Sequence, residues 1–259
     1  MQSSQSIQEF AFYRSRLKFL FILTKSFIFL LAIICASCVT PYNPSIGMIL
    51  FPKAQPSLSL MDWVIKTVLR PFASWDGAYF LTIALKGYIY EQEHAFFPLY
   101  PLLIRTIAEF PMRPVSGFLS LEARCILSAL IISNVSHYVS VRLLYHLGFY
   151  IFRDSYFAYL SAVFLTLTPM QAVAAGVYSE SLFTCLILIG LTAFYHKRRA
   201  LAAISWCLAG ATRSNAIFLP GFFLYEYIHQ LRRLSISVVS YWHVPIHLSF
   251  RRQFSDYSD

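Results

Sequence analysis

Charge is scarce in this sequence. Asp, Glu, Lys and Arg make up 13% of its 259 residues, about half the quarter that a soluble domain carries. With 58% hydrophobic residues, 24 Phe and 17 Tyr, that shortage excludes an ordinary water-solvated domain and points to lipid as the solvent for much of the chain. Cysteines are few as well. Cys35, Cys38, Cys125, Cys185 and Cys207 lie in or beside apolar runs. None has a His or Cys partner at a zinc spacing, so neither a metal site nor a disulfide framework is read from them. There is no glycine-rich phosphate loop, and so no sign of a nucleotide fold. Internal repeats of the kind common in transporters are missing too, which counts against the transport role that Asn134, His137 and Arg142 in one span would suggest.

What is present is an excess of positive charge, +9 in total. The basic residues stand in small clusters between apolar runs rather than on one continuous face. This pattern orients a membrane protein and argues against nucleic-acid binding. The first apolar segment, Leu17 to Val39, is about 20 residues long and sufficient to cross a bilayer. Arg14, Arg16 and Lys18 precede it, and its length favours a retained span over a cleaved signal. Residues 40–124 carry Pro, Trp and charge and read as a folded loop on the membrane face, with an amphipathic piece at Leu99 to Phe110. Further apolar stretches follow at Cys125–Phe149, Tyr156–Val177, Ser181–Tyr195, Ala200–Ala211 and Ala216–Ile228, the last three short for independent crossings. Arg153, Lys197 to Arg199 and Arg232 to Arg233 fall in alternate connections, which the positive-inside rule assigns to the cytosol. The expectation is an all-α polytopic protein of about six transmembrane helices, both termini cytosolic, with a large first lumenal loop. Residues 1–234 form the membrane region, and 235–259 a divergent cytosolic tail.

That topology gathers the interesting polar residues on the lumenal side. Polar groups at a lipid boundary mark a site by default, because unpaired charge there is costly. Asp76, in Ser74-Trp75-Asp76-Gly77, reads two ways: as a partly desolvated general base, or as the N-cap of a helix starting near Ala78. Glu93 and His94, amid aromatics, suit a polar ligand with an apolar part or else a solvated loop. Glu180 and Arg213 end neighbouring spans, either as a structural ion pair or as ligand groups. A guanidinium there can clamp a phosphate bidentately, and Asn215 can add a hydrogen bond. Asn134 and His137 fall inside a span, where interhelical hydrogen bonds are the simpler role. The sequon Asn134-Val135-Ser136 is buried with them.

Three blocks together resemble one family. Ser74-Trp75-Asp76 with Tyr79-Phe80, Lys86-Gly87-Tyr88 and Ala95-Phe96-Phe97-Pro98-Leu99-Tyr100-Pro101 form the first. Ala174 to Phe183, with Tyr178-Ser179-Glu180 at its heart, forms the second, and Gly210-Ala211-Thr212-Arg213-Ser214-Asn215 the third. In order and spacing they are similar to the GPI mannosyltransferase 2 family of GT-C glycosyltransferases. The resemblance implies a GT-C-like helical bundle in the endoplasmic reticulum membrane. It implies transfer of the second, α-1,6-linked mannose from dolichyl-phosphate-mannose to the mannosylated GPI precursor lipid, on the lumenal side and with inversion. Asp76 is then the catalytic base, and Trp75, Glu93, His94, Tyr178, Glu180, Arg213 and Asn215 the substrate-binding set. The donor is a substrate, no cofactor is implied, and an accessory membrane subunit is a further possible partner. Family members are longer, with more spans after the Arg-Ser-Asn block, so the resemblance also implies a C-terminally truncated chain. The alternative it leaves open is an inactive isoform that binds lipid or a partner.

Overall fold

A computed structural model describes residues 2–38 and 58–242, with side chains over 8–38 and 58–232. The expected cytosolic tail, residues 235–259, lies largely outside these residues, as does the start of the expected lumenal loop, residues 40–57. The chain divides into two compact units, residues 1–217 and 218–259. Among the described residues every regular element is helical.

In the first unit, α1 covers Gln2–Cys38, and α2, Leu60–Val68, follows. The next helices are α3, Asp76–Lys86, and α4, Leu99–Glu109. The long α5 runs over Leu121–Phe152, and α6 over Ser155–Thr166. A single turn, α7 (Gln171–Ala175), leads into α8 (Glu180–Tyr195) and α9 (Arg199–Gly210). The second unit is built around α10, Gly221–Trp242.

Two helices, over residues 8–38 and 121–152, are long and apolar enough to cross a membrane. The helices α6, α8 and α9, at 12, 16 and 12 residues, are shorter. Two expected continuous stretches are broken. The Tyr156–Val177 stretch is split into α6 and α7 around Pro169, and the Ala216–Ile228 stretch into a 3-10 turn, Ser214–Phe218, and α10 around Pro220. Proline supplies no N–H and disfavours the helical region for the residue before it, so neither stretch continues as one helix.

The amphipathic segments of residues 58–124 pack on α5. Ile65, Phe72, Phe80, Leu81, Tyr100 and Ile104 share one buried cluster with Ala123, Ile126, Ala129 and Leu130. Asp62 locks this arrangement. Its buried carboxylate accepts from Ser120 N at 2.8 Å and Ser120 Oγ at 2.7 Å, and pairs with Lys66 at 3.0 Å. Burial pushes the Asp62 carboxyl up, but the Ser120 bonds and Lys66 outweigh it and hold it below the usual range. A carboxyl lowered by folding contributes stability above its unfolded pKa of about 4, and that contribution is lost as the pH falls further. Asp62→Asn should therefore loosen the contact of α2 with α5 at neutral pH by about 2 kcal/mol and remove its acid sensitivity. Hydrogen exchange of residues 60–68 at neutral and acid pH measures both effects.

The helices α8 and α9 form a hairpin whose closest approach requires glycine. A Cβ on Gly190 would overlap the indole of Trp206, which is itself buried. Overpacking of this kind typically costs about 1–3 kcal/mol. Gly190→Ala should accordingly lower the thermal unfolding midpoint in detergent, and an unchanged midpoint would show that the ring has room to move.

Candidate functional site

The first and second sequence blocks meet through the backbone. Val177 N donates to Phe72 O at 2.8 Å. A Cβ on Gly77 would lie 3.1 Å from Val177 O, and one on Gly176 would lie 3.0 Å from Phe72 O. Glycine at both positions is what lets the Phe72–Gly77 turn lie against the Gly176–Tyr178 turn. Tyr178 closes the junction, its hydroxyl donating to Ser74 O at 3.2 Å. Behind it, the Ser133 hydroxyl of α5 donates to Tyr178 O at 3.2 Å and shares a 2.8 Å bond with the buried Tyr100 hydroxyl.

Asp76 stands at the mouth of this junction. It is the first residue of α3 rather than its cap; the cap position belongs to Trp75, and no side chain caps the helix there. The N-cap role is thus set aside by the structure, and Asp76 stands instead in the first turn of α3. Asp76 is exposed, and among the described residues its carboxylate has no hydrogen-bond or ion-pair partner. Trp75 holds φ 56° and ψ −127°, a left-handed backbone that is costly for a bulky residue. The local fold holds that conformation and leaves Trp75 61% exposed, next to Asp76 in the chain.

The third block joins by side chains. Arg213 Nη1 bonds Glu180 Oε1 at the start of α8, and approaches Ser179 Oγ at 3.4 Å. The Glu180 Oε2 atom is buried without a hydrogen-bond partner. Leu99 N donates to Ala211 O at 2.9 Å, which fixes the Gly210–Arg213 turn to the start of α4. Asn215, exposed, lies in the adjoining 3-10 turn. Tyr178 couples the carboxylates: burial pushes its phenol up to about 12, and the negative charges of Asp76 and Glu180 push the same way. A neutral phenol between two carboxylates is a hydrogen-bond donor across the neutral pH range.

Glu93 and His94 are placed differently. Glu93 is 1% exposed, and its Oε2 accepts from Ile89 N at 2.6 Å and Tyr90 N at 3.0 Å, so it holds its own loop together. His94 is exposed against the Tyr88 ring. This loop leans on α3 through Phe96, stacked on Tyr79 at 4.7 Å, one turn after Asp76. No hydrogen bond links Glu93 or His94 to Asp76, Glu180 or Arg213. Asn134 and His137 bridge helices: Asn134 Nδ2 donates to Ala175 O at 3.0 Å, and His137 Nε2 lies 3.3 Å from Leu165 O.

A carboxylate free at a helix start and a guanidinium at one junction can accept a proton and hold an anion, and the Tyr178 hydroxyl fastens the turns that carry them. The family described as mannosyltransferase (PIG-V) matches residues 14–239. Among curated proteins, the chain is similar to GPI alpha-1,6-mannosyltransferase 2 of Rattus norvegicus, 30% identical over 175 residues that cover 68% of this chain and 35% of that protein. The protein of the same name from Mus musculus is 30% identical over 193 residues, covering 74% of this chain and 38% of that one. GPI mannosyltransferase 2 of Schizosaccharomyces pombe is 29% identical over 164 residues, with 62% and 33% covered. The chain thus spans about a third of the length of these relatives. No solved structure matches it.

Proposed function

The chain belongs to the mannosyltransferase (PIG-V) family, and on that premise we propose that the Asp76–Tyr178–Arg213 junction transfers mannose from dolichyl-phosphate-mannose to the GPI-anchor precursor lipid. The bond formed is α-1,6, and the sugar is the second mannose. The observation that carries this reading is the exposed Asp76 carboxylate, without a bonding partner and set at a helix start beside the Tyr178 turn.

An acceptor hydroxyl attacks the anomeric carbon from the face opposite the phosphate, and its proton passes to the Asp76 carboxylate. The anomeric C–O bond breaks, and the dolichyl phosphate leaves with the electron pair. Attack opposite the leaving group inverts the configuration. Because the phosphate is already a good leaving group, the protein's tasks are orientation, one proton and stabilisation of phosphate charge near lipid. Arg213 contributes the last through charge-assisted bonds. Tyr178 keeps the two turns together by donating its hydroxyl to Ser74 O. Trp75 offers an aromatic face to a sugar ring, and Asn215 a hydrogen bond at the rim. His94 and the loop held by Glu93 border the acceptor side through Phe96 and Tyr79.

In this reading the protein is a multi-pass membrane enzyme of the endoplasmic reticulum. About six crossings place residues 40–124, Tyr178–Glu180 and Arg213–Asn215 in the lumen and the basic connections in the cytosol, as the alternation of Arg153, Lys197–Arg199 and Arg232–Arg233 supports. The shorter helices cross while tilted or packed between neighbours. An accessory membrane subunit belongs to the same proposal, and transfer assays with co-purified partners address it.

The test is transfer in microsomes that express the chain and lack the endogenous enzyme, with labelled donor and singly mannosylated acceptor lipid. The expected product carries one added mannose removable by an α-1,6-specific mannosidase. A well-expressed chain giving no product, or a product with another linkage, would overturn the assignment.

A further inference from the structure

At the opposite end of the α8–α9 hairpin lies a second constellation. The helix α8 runs from Glu180 in the site to Tyr195, about 22 Å at 1.5 Å per residue. Here α5, α8 and α9 enclose a groove of about 310 Å³, with Leu143, Ile189 and Leu201 on its apolar wall and Thr192, His196 and Arg198 at its polar end. Leu201 at the rim is 44% exposed, so the groove opens at the side of the bundle.

The polar end is cationic. The His196 ring lies 4.7 Å from the Tyr150 ring, and the Arg153 guanidinium sits over the same Tyr150 ring at 5.3 Å. Arg153, Tyr150 and His196 thus form a stack leading to Arg198, and Lys197 and Arg199 flank it in sequence. Arg153 and Lys197 end their helices at φ 58° and 62°, positions where glycine is the usual residue. No acidic residue lines the groove. The nearby Asp154 caps α6, accepting from Tyr156 N at 2.8 Å and Phe157 N at 2.9 Å.

We propose that this groove binds an anionic glycerophospholipid of the surrounding bilayer. Its phosphate rests among Arg198, His196 and Arg153, and an acyl chain lies along Leu143, Ile189 and Leu201. Basic pockets between membrane helices recognise acidic headgroups by this combination of charge and apolar wall. The apolar wall favours a lipid over a soluble anion, and the side opening supplies it from the membrane. The site is separate from the one that transfers mannose and rests only on the chain's residence in a membrane.

Native mass spectrometry of the full chain in detergent tests this with dioleoylphosphatidylserine, dioleoylphosphatidylcholine and glycerophosphate as probes. Phosphatidylserine should be retained over phosphatidylcholine, and glycerophosphate should not displace it. Arg198→Gln should weaken retention about fivefold and Arg153→Gln with Arg198→Gln about 25-fold, following the usual contribution per basic residue. Leu201→Trp, an exposed change that fills the groove without touching charge, should weaken it as well, and Asp76→Ala should leave it unchanged. Equal retention of the two lipids, displacement by glycerophosphate, or full retention by the double variant and by Leu201→Trp would overturn the proposal. Failure of the transfer reading shows instead as a lost product with lipid retention intact. Release of the chain from membranes by carbonate would remove the premise of both.

Discussion

Asp76→Asn is expected to lower the rate of mannose transfer by roughly 10²–10⁴-fold, the range that a positioned general base contributes, while leaving the unfolding midpoint unchanged. The two halves of this expectation have one structural origin. Asp76 is exposed and its carboxylate holds no hydrogen bond or ion pair among the described residues, so amidation removes no tertiary contact. The isosteric amide keeps the shape of the α3 start and cannot accept the proton. Asp76→Glu keeps the charge but moves it by one methylene, and should recover part of the rate. Transfer kinetics and thermal unfolding on the same preparations separate the effects. A fall in stability with Asp76→Asn would mean that the residue serves the fold, and an unchanged rate would remove it as the base.

The second large effect is expected at Arg213. Replacing it by Lys preserves the positive charge but abolishes the planar fork that grips a phosphate with two parallel bonds. Transfer efficiency should fall about tenfold or more, as expected for loss of one charge-assisted bond. Stability should change little, because Lys keeps a positive charge beside the half-buried Glu180 carboxylate. Glu180→Gln distinguishes a ligand role from a purely structural one. If Arg213 works on phosphate, Glu180→Gln leaves efficiency within a few-fold and the double variant behaves like Arg213→Lys alone. If the pair only fastens α8 to the Arg213 turn, both single variants and the double lose activity and stability together.

Some of this arrangement was legible in the sequence. The apolar runs at 125–149, 181–195 and 200–211 became α5, α8 and α9 with small shifts at their ends, because uninterrupted apolar sequence with no proline has few alternatives. The pairing of Glu180 with Arg213 followed from their places at the ends of neighbouring helices. Interhelical bonding of Asn134 and His137 followed from polar groups inside a span. Other features were hidden for physical reasons. Asp62 gives no local sign of its burial, since its partner Ser120 lies 58 residues away. Glu93 looks like a surface carboxylate until the loop folds back and brings the Ile89 and Tyr90 N–H groups onto it. The start of α3 at Asp76 rather than Ala78 depends on a left-handed Trp75 that residue preference disfavours. The close approach at Gly77 and Gly176 is a long-range contact that neither glycine announces alone.

If mannose is transferred at the Asp76 junction, the exposed carboxylate is required for anchor assembly in the cell. Complementation of cells lacking the second GPI mannosyltransferase tests it most directly, scoring surface GPI-anchored proteins for wild type and Asp76→Ala at matched expression. Restoration by wild type and none by Asp76→Ala is the expected result. Restoration by both, or failure of a well-expressed wild-type chain, would contradict it.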